Sequence, residues 1–139
     1  MPGSGKFHIV SVREGIPPIG ADIYDENTVK PVISAGNGDV WTLEEFESER
    51  YRITLDSAWA SRQDDNNNVV VDLGSSASKQ VWFIRSNGDG KYTIEKDSIV
   101  WPNLGWTLHG EAPKSPVILR LVEFPNDAQL WRFIKLPID

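Results

Sequence analysis

Gln80-Val81-Trp82 returns as Gln129-Leu130-Trp131, and the same aliphatic–tryptophan pair stands earlier at Val40-Trp41, so the tryptophans fall 41 and 49 residues apart. Each pair closes a segment that opens on an aromatic residue, a polar residue and an isoleucine: Phe7-His8-Ile9, Tyr51-Arg52-Ile53 and Tyr92-Thr93-Ile94. That alternation belongs to a half-buried strand, whose side chains point to opposite faces in turn. Two further apolar runs lie inside each segment. They are Ile19 to Ile23 and Val32-Ile33, then Ala58 to Ala60 and Val69-Val70-Val71, then Gly105 to Leu108 and Val117 to Leu121. The expectation is four strands per unit in three units, near residues 5–49, 50–90 and 91–139.

Glycine and proline punctuate the chain roughly every ten residues, and the apolar runs between them are short, β-branched and aromatic, which selects an all-β reading. Trp41 to Arg50 offers at most one or two amphipathic turns and reads better as a strand followed by a tight turn. Asn37-Gly38-Asp39 and Asn87-Gly88-Asp89-Gly90 supply the positive-φ residues of tight hairpins. A period near 40 to 50 residues also suits propeller blades, but a propeller needs about four or more of them. Three units point instead to a β-trefoil, a barrel capped by hairpins, with no helix longer than about two turns. Trp41, Trp82 and Trp131, placed regularly on closing strands, read as core residues rather than sugar-stacking platforms.

A chain of 139 residues suits one domain. Its 20 acidic and 14 basic residues give a net charge of −6, which repels a phosphate backbone and argues against nucleic acid as a partner. No apolar run reaches the roughly 18 residues of a membrane span, and Met1 to Lys6 lacks the apolar core of a signal peptide, so the expectation is a cytoplasmic protein without a membrane partner. The absence of cysteine removes disulfides, thiolate metal sites and a catalytic thiol together. His8 and His109 have no neighbours at metal-ligand spacing, and no Gly-x-Ser-x-Gly elbow is present. Glu44-Glu45 and Asp64-Asp65 read as solvated loop charge. Neither an enzyme nor a metal or cofactor is expected, and function is sought in the loops.

The third unit, Tyr92 to Lys96, Leu104 to Leu108, the run to Leu121 and Asn126 to Ile134, resembles the closing portion of mushroom β-trefoil serine-protease inhibitors of the cospin type. Phe7-His8-Ile9 and Asn27-Thr28-Val29-Lys30-Pro31-Val32 are similar in kind. The resemblance implies inhibition of a protease, trypsin-like by preference, through a substrate-like loop carrying Lys or Arg toward the aspartate of the specificity pocket. The loop from Tyr24 to Lys30, with Asn27, is one that relatives use, but Lys30 precedes Pro31 and reads better as a strand-edge lysine. Lys114 is the first choice: Pro113 and Pro116 favour an extended, preorganised loop, and Ser115 leaves the bond approachable. Arg62, in Ser61 to Asp65, is the second, with Asp64 and Asp65 competing for its charge. Asn66-Asn67-Asn68 raises the further reading of an asparagine-specific protease as target.

The glutamine-x-tryptophan closures at Gln80 and Gln129 are also similar to those of ricin-B-like lectins, which implies a glycan partner as the alternative. Such a site needs an aspartate, an aromatic face and a neighbouring amide. Unit two offers Asp56 and Trp59 with Asn66 to Asn68; unit three offers Asp97, Trp101 and Asn103.

Overall fold

The structure, a computed structural model, describes residues 2–22, 26–34, 39–56, 58–73, 80–97, 103–122 and 125–137. Unit one holds β1 (Gly5–Ser11), β2 (Ile19–Ala21), β3 (Val29–Ser34) and β4 (Trp41–Glu47). Unit two holds β5 (Arg50–Leu55), β6 (Trp59–Gln63), β7 (Val69–Asp72) and β8 (Trp82–Ser86). Unit three holds β9 (Tyr92–Lys96), β10 (Asn103–Leu108), β11 (Val117–Val122) and β12 (Trp131–Lys135).

The outer strands of each unit form a ring. Antiparallel pairs β1–β4, β4–β5, β5–β8, β8–β9, β9–β12 and β12–β1 close a six-stranded barrel, leaving none of the six with two open edges. The inner strands form the hairpins β2–β3, β6–β7 and β10–β11. β3 pairs with β7, and the bridges Ile33↔Pro116 and Asn68↔Ile118 tie the third hairpin to the other two. The architecture is a β-trefoil.

Local sequence explains the elements. β5 alternates buried Tyr51, Ile53 and Leu55 with half-buried Arg50, Arg52 and Thr54, so one face meets the core and the other meets water. Trp41 to Glu47 is a strand, and the turn after it carries Glu49 at φ 67°. Gly88, Asp89 and Gly90 all have positive φ and turn β8 into β9, as their residue types predict. The turn at Asn37 and Gly38 lies outside the described residues. Among those residues the one helical element is a 3-10 turn, Asp127–Gln129, capped by the Asn126 side chain.

Trp41, Trp82 and Trp131 are fully buried, and Trp106 joins them on β10. Each closing tryptophan donates its indole N–H into the second strand of its own unit: Trp41 to the Ile19 carbonyl, Trp131 to the Trp106 carbonyl and Trp82 to Ser61 Oγ, all at 3.0 Å. Trp106 packs edge-on against Trp82 and Trp41, with ring centroids 5.3 Å and 6.0 Å away, while its own Nε1 finds no hydrogen-bond acceptor among the described residues. The barrel wall also buries Glu95, whose carboxylate accepts from Thr93 Oγ1 at 2.6 Å and Arg85 Nε at 3.2 Å.

Candidate functional site

The inhibitor candidates occupy well-defined places. Lys114 is exposed, but it stands in a tight turn with φ 63°, in contrast to the extended loop expected from its flanking prolines. Its backbone N–H donates to the Ser34 carbonyl at 3.1 Å, and the Ser115 N–H donates to Ser34 Oγ at 3.0 Å. Ser115 is buried and its hydroxyl donates to the Ala112 carbonyl at 2.5 Å, so the bond after Lys114 is held against β3 rather than offered to solvent. Pro113 lies in the same exposed turn.

Arg62 is on strand β6 instead of a loop. Its Nε sits 2.9 Å from Asp72 Oδ2 across the β6–β7 pair. Asp64 is likewise engaged rather than merely solvated, accepting from the backbone N–H groups of Asn66 and Asn68 and from Asn68 Nδ2. Burial pushes its carboxyl up, but these bonds and the nearby Arg62 charge outweigh that and hold it below the usual 3.8. Lys30 is a strand lysine on β3 with its ammonium 5.5 Å from the Trp59 ring centre, and Asn27 is exposed on the turn before it.

The sugar constellation expected in unit two is not assembled among the described residues. Asp56 and Trp59 lie at one end of β6 and Asn66 to Asn68 at the other, about 16 Å of strand apart. Trp59 packs partly into the core, and Asp56 is a turn residue with φ 52°. Asp97 stands 3.9 Å from Arg50, Asn103 is buried, and Trp101 lies outside the described residues.

The structure instead opens a groove of about 840 Å³ in the third unit, between the β10–β11 hairpin and the segment ending in Gln129. Leu104, Leu119 and Leu121 supply its apolar wall; Thr107, His109, Arg120, Asn126 and Gln129 supply its polar groups. Gln129 is buried and fixed: Nε2 donates to the Leu121 carbonyl at 2.9 Å and to Thr107 Oγ1 at 3.2 Å. Because a carbonyl can only accept, this bond orients the amide and leaves Oε1 on the other side, accepting from none of the described residues. Asn126 Oδ1 accepts the Ala128 N–H at 2.9 Å, leaving Nδ2 as the open end of that side chain.

The corresponding positions in the other units are arranged differently. Asp39 stands two residues before Trp41, as Gln129 does before Trp131, and its Oδ2 accepts the Ala21 N–H at 3.0 Å. The Asp39 carboxylate lies so close over Gly20 that a side chain there would overlap it, which closes that position. In unit two Gln80 reaches, among the described residues, the neighbouring Val81 carbonyl at 3.4 Å. Thr107, His109, Arg120 and Gln129 line this groove and are not among the candidates the sequence offers, although the repeated glutamine before tryptophan marks one of them.

No family model and no curated protein matches the chain in sequence. Its fold has clear structural neighbours. The designed 3-fold symmetric protein ThreeFoil is 18% identical over 95% of this chain and 99% of its own, with a TM-score of 0.78. The Polyporus squamosus lectin, solved bound to Neu5Aca2-6Galb1-4GlcNAc, is 18% identical over 96% of this chain and 50% of its own, with a TM-score of 0.73. SeviL bound to asialo-GM1 saccharide is 12% identical over 95% of this chain and 98% of its own, with a TM-score of 0.64. At these identities the likeness establishes the β-trefoil fold, shared by lectins and by other proteins.

Proposed function

We propose that the protein is a carbohydrate-binding module, acting by binding rather than catalysis, and that its saccharide lies in the third-unit groove. The observation that carries this reading is the groove's composition. A pyranose presents an apolar C–H face and a rim of hydroxyls, and the groove sets three leucines beside Thr107, Asn126 and the oriented Gln129 amide. Two structural neighbours, the Polyporus squamosus lectin and SeviL, were solved with saccharides, which supports the same reading. The apolar wall is aliphatic, so it offers packing without the stacking face of an aromatic ring. The second recess among the described residues, about 320 Å³ between β3, β7 and Pro116, is lined mainly by Val and Pro, and its Asp64 is already engaged by the turn it caps.

The inhibitor reading has less support. A loop that enters a protease cleft must present an extended backbone, whereas Lys114 sits at φ 63° and its neighbour Ser115 is buried. Glycan-array binding by the wild type, weakened at least tenfold by Leu121→Asp at the exposed groove wall, is the expected result. An empty array together with stoichiometric inhibition of trypsin would replace this reading with the inhibitor.

A further inference from the structure

Taking the saccharide reading as its basis, we infer that the groove selects an anionic sugar, with Arg120 as the residue that receives the negative group. Arg120 is exposed on β11, opposite Gly105 of β10, and makes no ion pair, hydrogen bond or ring contact with any described residue. Of the other strand arginines, Arg50 pairs with Glu47 and Asp97, Arg52 with Glu44, Arg62 with Asp72 and Arg85 with Glu95, while Arg132 donates to the Asp89 carbonyl at 3.0 Å. In a chain with 20 acidic and 14 basic residues, none of the described residues that line the groove is acidic.

Of the remaining polar side chains, Thr107, Asn126 and Gln129 are oriented by their own hydrogen bonds, and His109 stands exposed beside them. Thr107 Oγ1 already donates to the Gly105 carbonyl and accepts from Gln129. Asn126 Oδ1 is used by the Ala128 N–H, so this side chain turns its two N–H donors outward. Gln129 Oε1 is the one side-chain amide acceptor left open. A neutral pyranose meets these donors with uncharged hydroxyl oxygens, which give the guanidinium no opposite charge. A sugar bearing an oxyanion supplies acceptors for the Arg120 fork and for Asn126, while one hydroxyl donates to Gln129.

Carboxylate and sulfate ester share this chemistry, and the test separates them. An array carrying neutral, sialylated and sulfated forms of the same glycan cores should show the anionic forms binding about 10- to 100-fold tighter than the neutral ones. The stronger of the two anionic series identifies the group. Arg120→Gln should collapse the anionic-to-neutral preference by about tenfold or more, and Arg120→Lys, which keeps the charge but not the fork, should retain part of it. Added salt should erode anionic binding selectively. Equal binding of neutral and anionic forms, insensitive to Arg120→Gln, would overturn the inference and leave the saccharide reading standing. An array empty of all three forms would overturn both.

Discussion

Ser61 shows how one hydroxyl serves two strands. Its Oγ donates to the Ile53 carbonyl at 2.5 Å and accepts the Trp82 indole N–H at 3.0 Å, in a site that is 1% exposed. Ser61→Ala leaves a buried donor and a buried acceptor unmatched, which should cost about 1 to 3 kcal/mol in urea unfolding, with the slope unchanged. Asp39 acts in the opposite sense. Desolvation by burial raises its carboxyl above the ordinary 3.8, the Ala21 N–H offsets part of this, the Asp56 charge adds to it and His8 lowers it. Its folded state therefore favours the protonated form. The stability it contributes is complete below 3.8 and declines as pH rises through the raised value. Asp39→Asn keeps an oxygen for the Ala21 N–H and removes the charge, so it should match the wild type under acid conditions. It should then gain on the wild type as pH rises toward neutrality, measured as thermal midpoints across a pH series.

At the scale of elements, β10 is closely packed at Gly105, which lies against β9 and β11. A Cβ there would run into Val122 and approach the Ile94 carbonyl to 3.2 Å. Gly105→Ala should destabilise the fold by about 1 to 3 kcal/mol, and saccharide binding should weaken with it because the same hairpin carries Thr107 and Arg120. The strands themselves were legible in the sequence, since alternation of the kind in Arg50 to Leu55 and the glycine-rich turn at 87–90 depend on near neighbours alone. The Lys114 turn was not. Its prolines favour an extended backbone locally, but its shape is set by Ser34, 81 residues from Ser115, whose carbonyl and hydroxyl accept the N–H groups of Lys114 and Ser115. The groove was hidden for a related reason. Thr107 and Arg120 read as ordinary strand residues until the β10–β11 register places both beside a glutamine that follows the hairpin.

For the whole molecule, the threefold recurrence fixes the architecture while its departures carry the chemistry. Asp39, Gln80 and Gln129 occupy one position in three units, yet only Gln129 spans back to the hairpin beside an open groove. The repeat was therefore readable and the asymmetry was not, because it depends on which partner each side chain reaches across the barrel. The seam of that barrel has a practical meaning. β1 and β12 pair from Phe7↔Lys135 to Ser11↔Trp131, and Leu136 N–H donates to the Lys6 carbonyl at 2.9 Å. Hydrogen bonds, with no chain connection between them, hold β1 and β12 side by side at this junction. A circular permutant, with the old ends joined by a short glycine-serine linker and new ends opened between Gly88 and Asp89, keeps every ladder of the barrel and breaks only a solvent-exposed turn. It should show the wild-type far-ultraviolet spectrum, melt cooperatively at a somewhat lower temperature, and retain saccharide binding; loss of the cooperative transition would mean that the 87–90 turn is needed to start the fold and not merely to connect it.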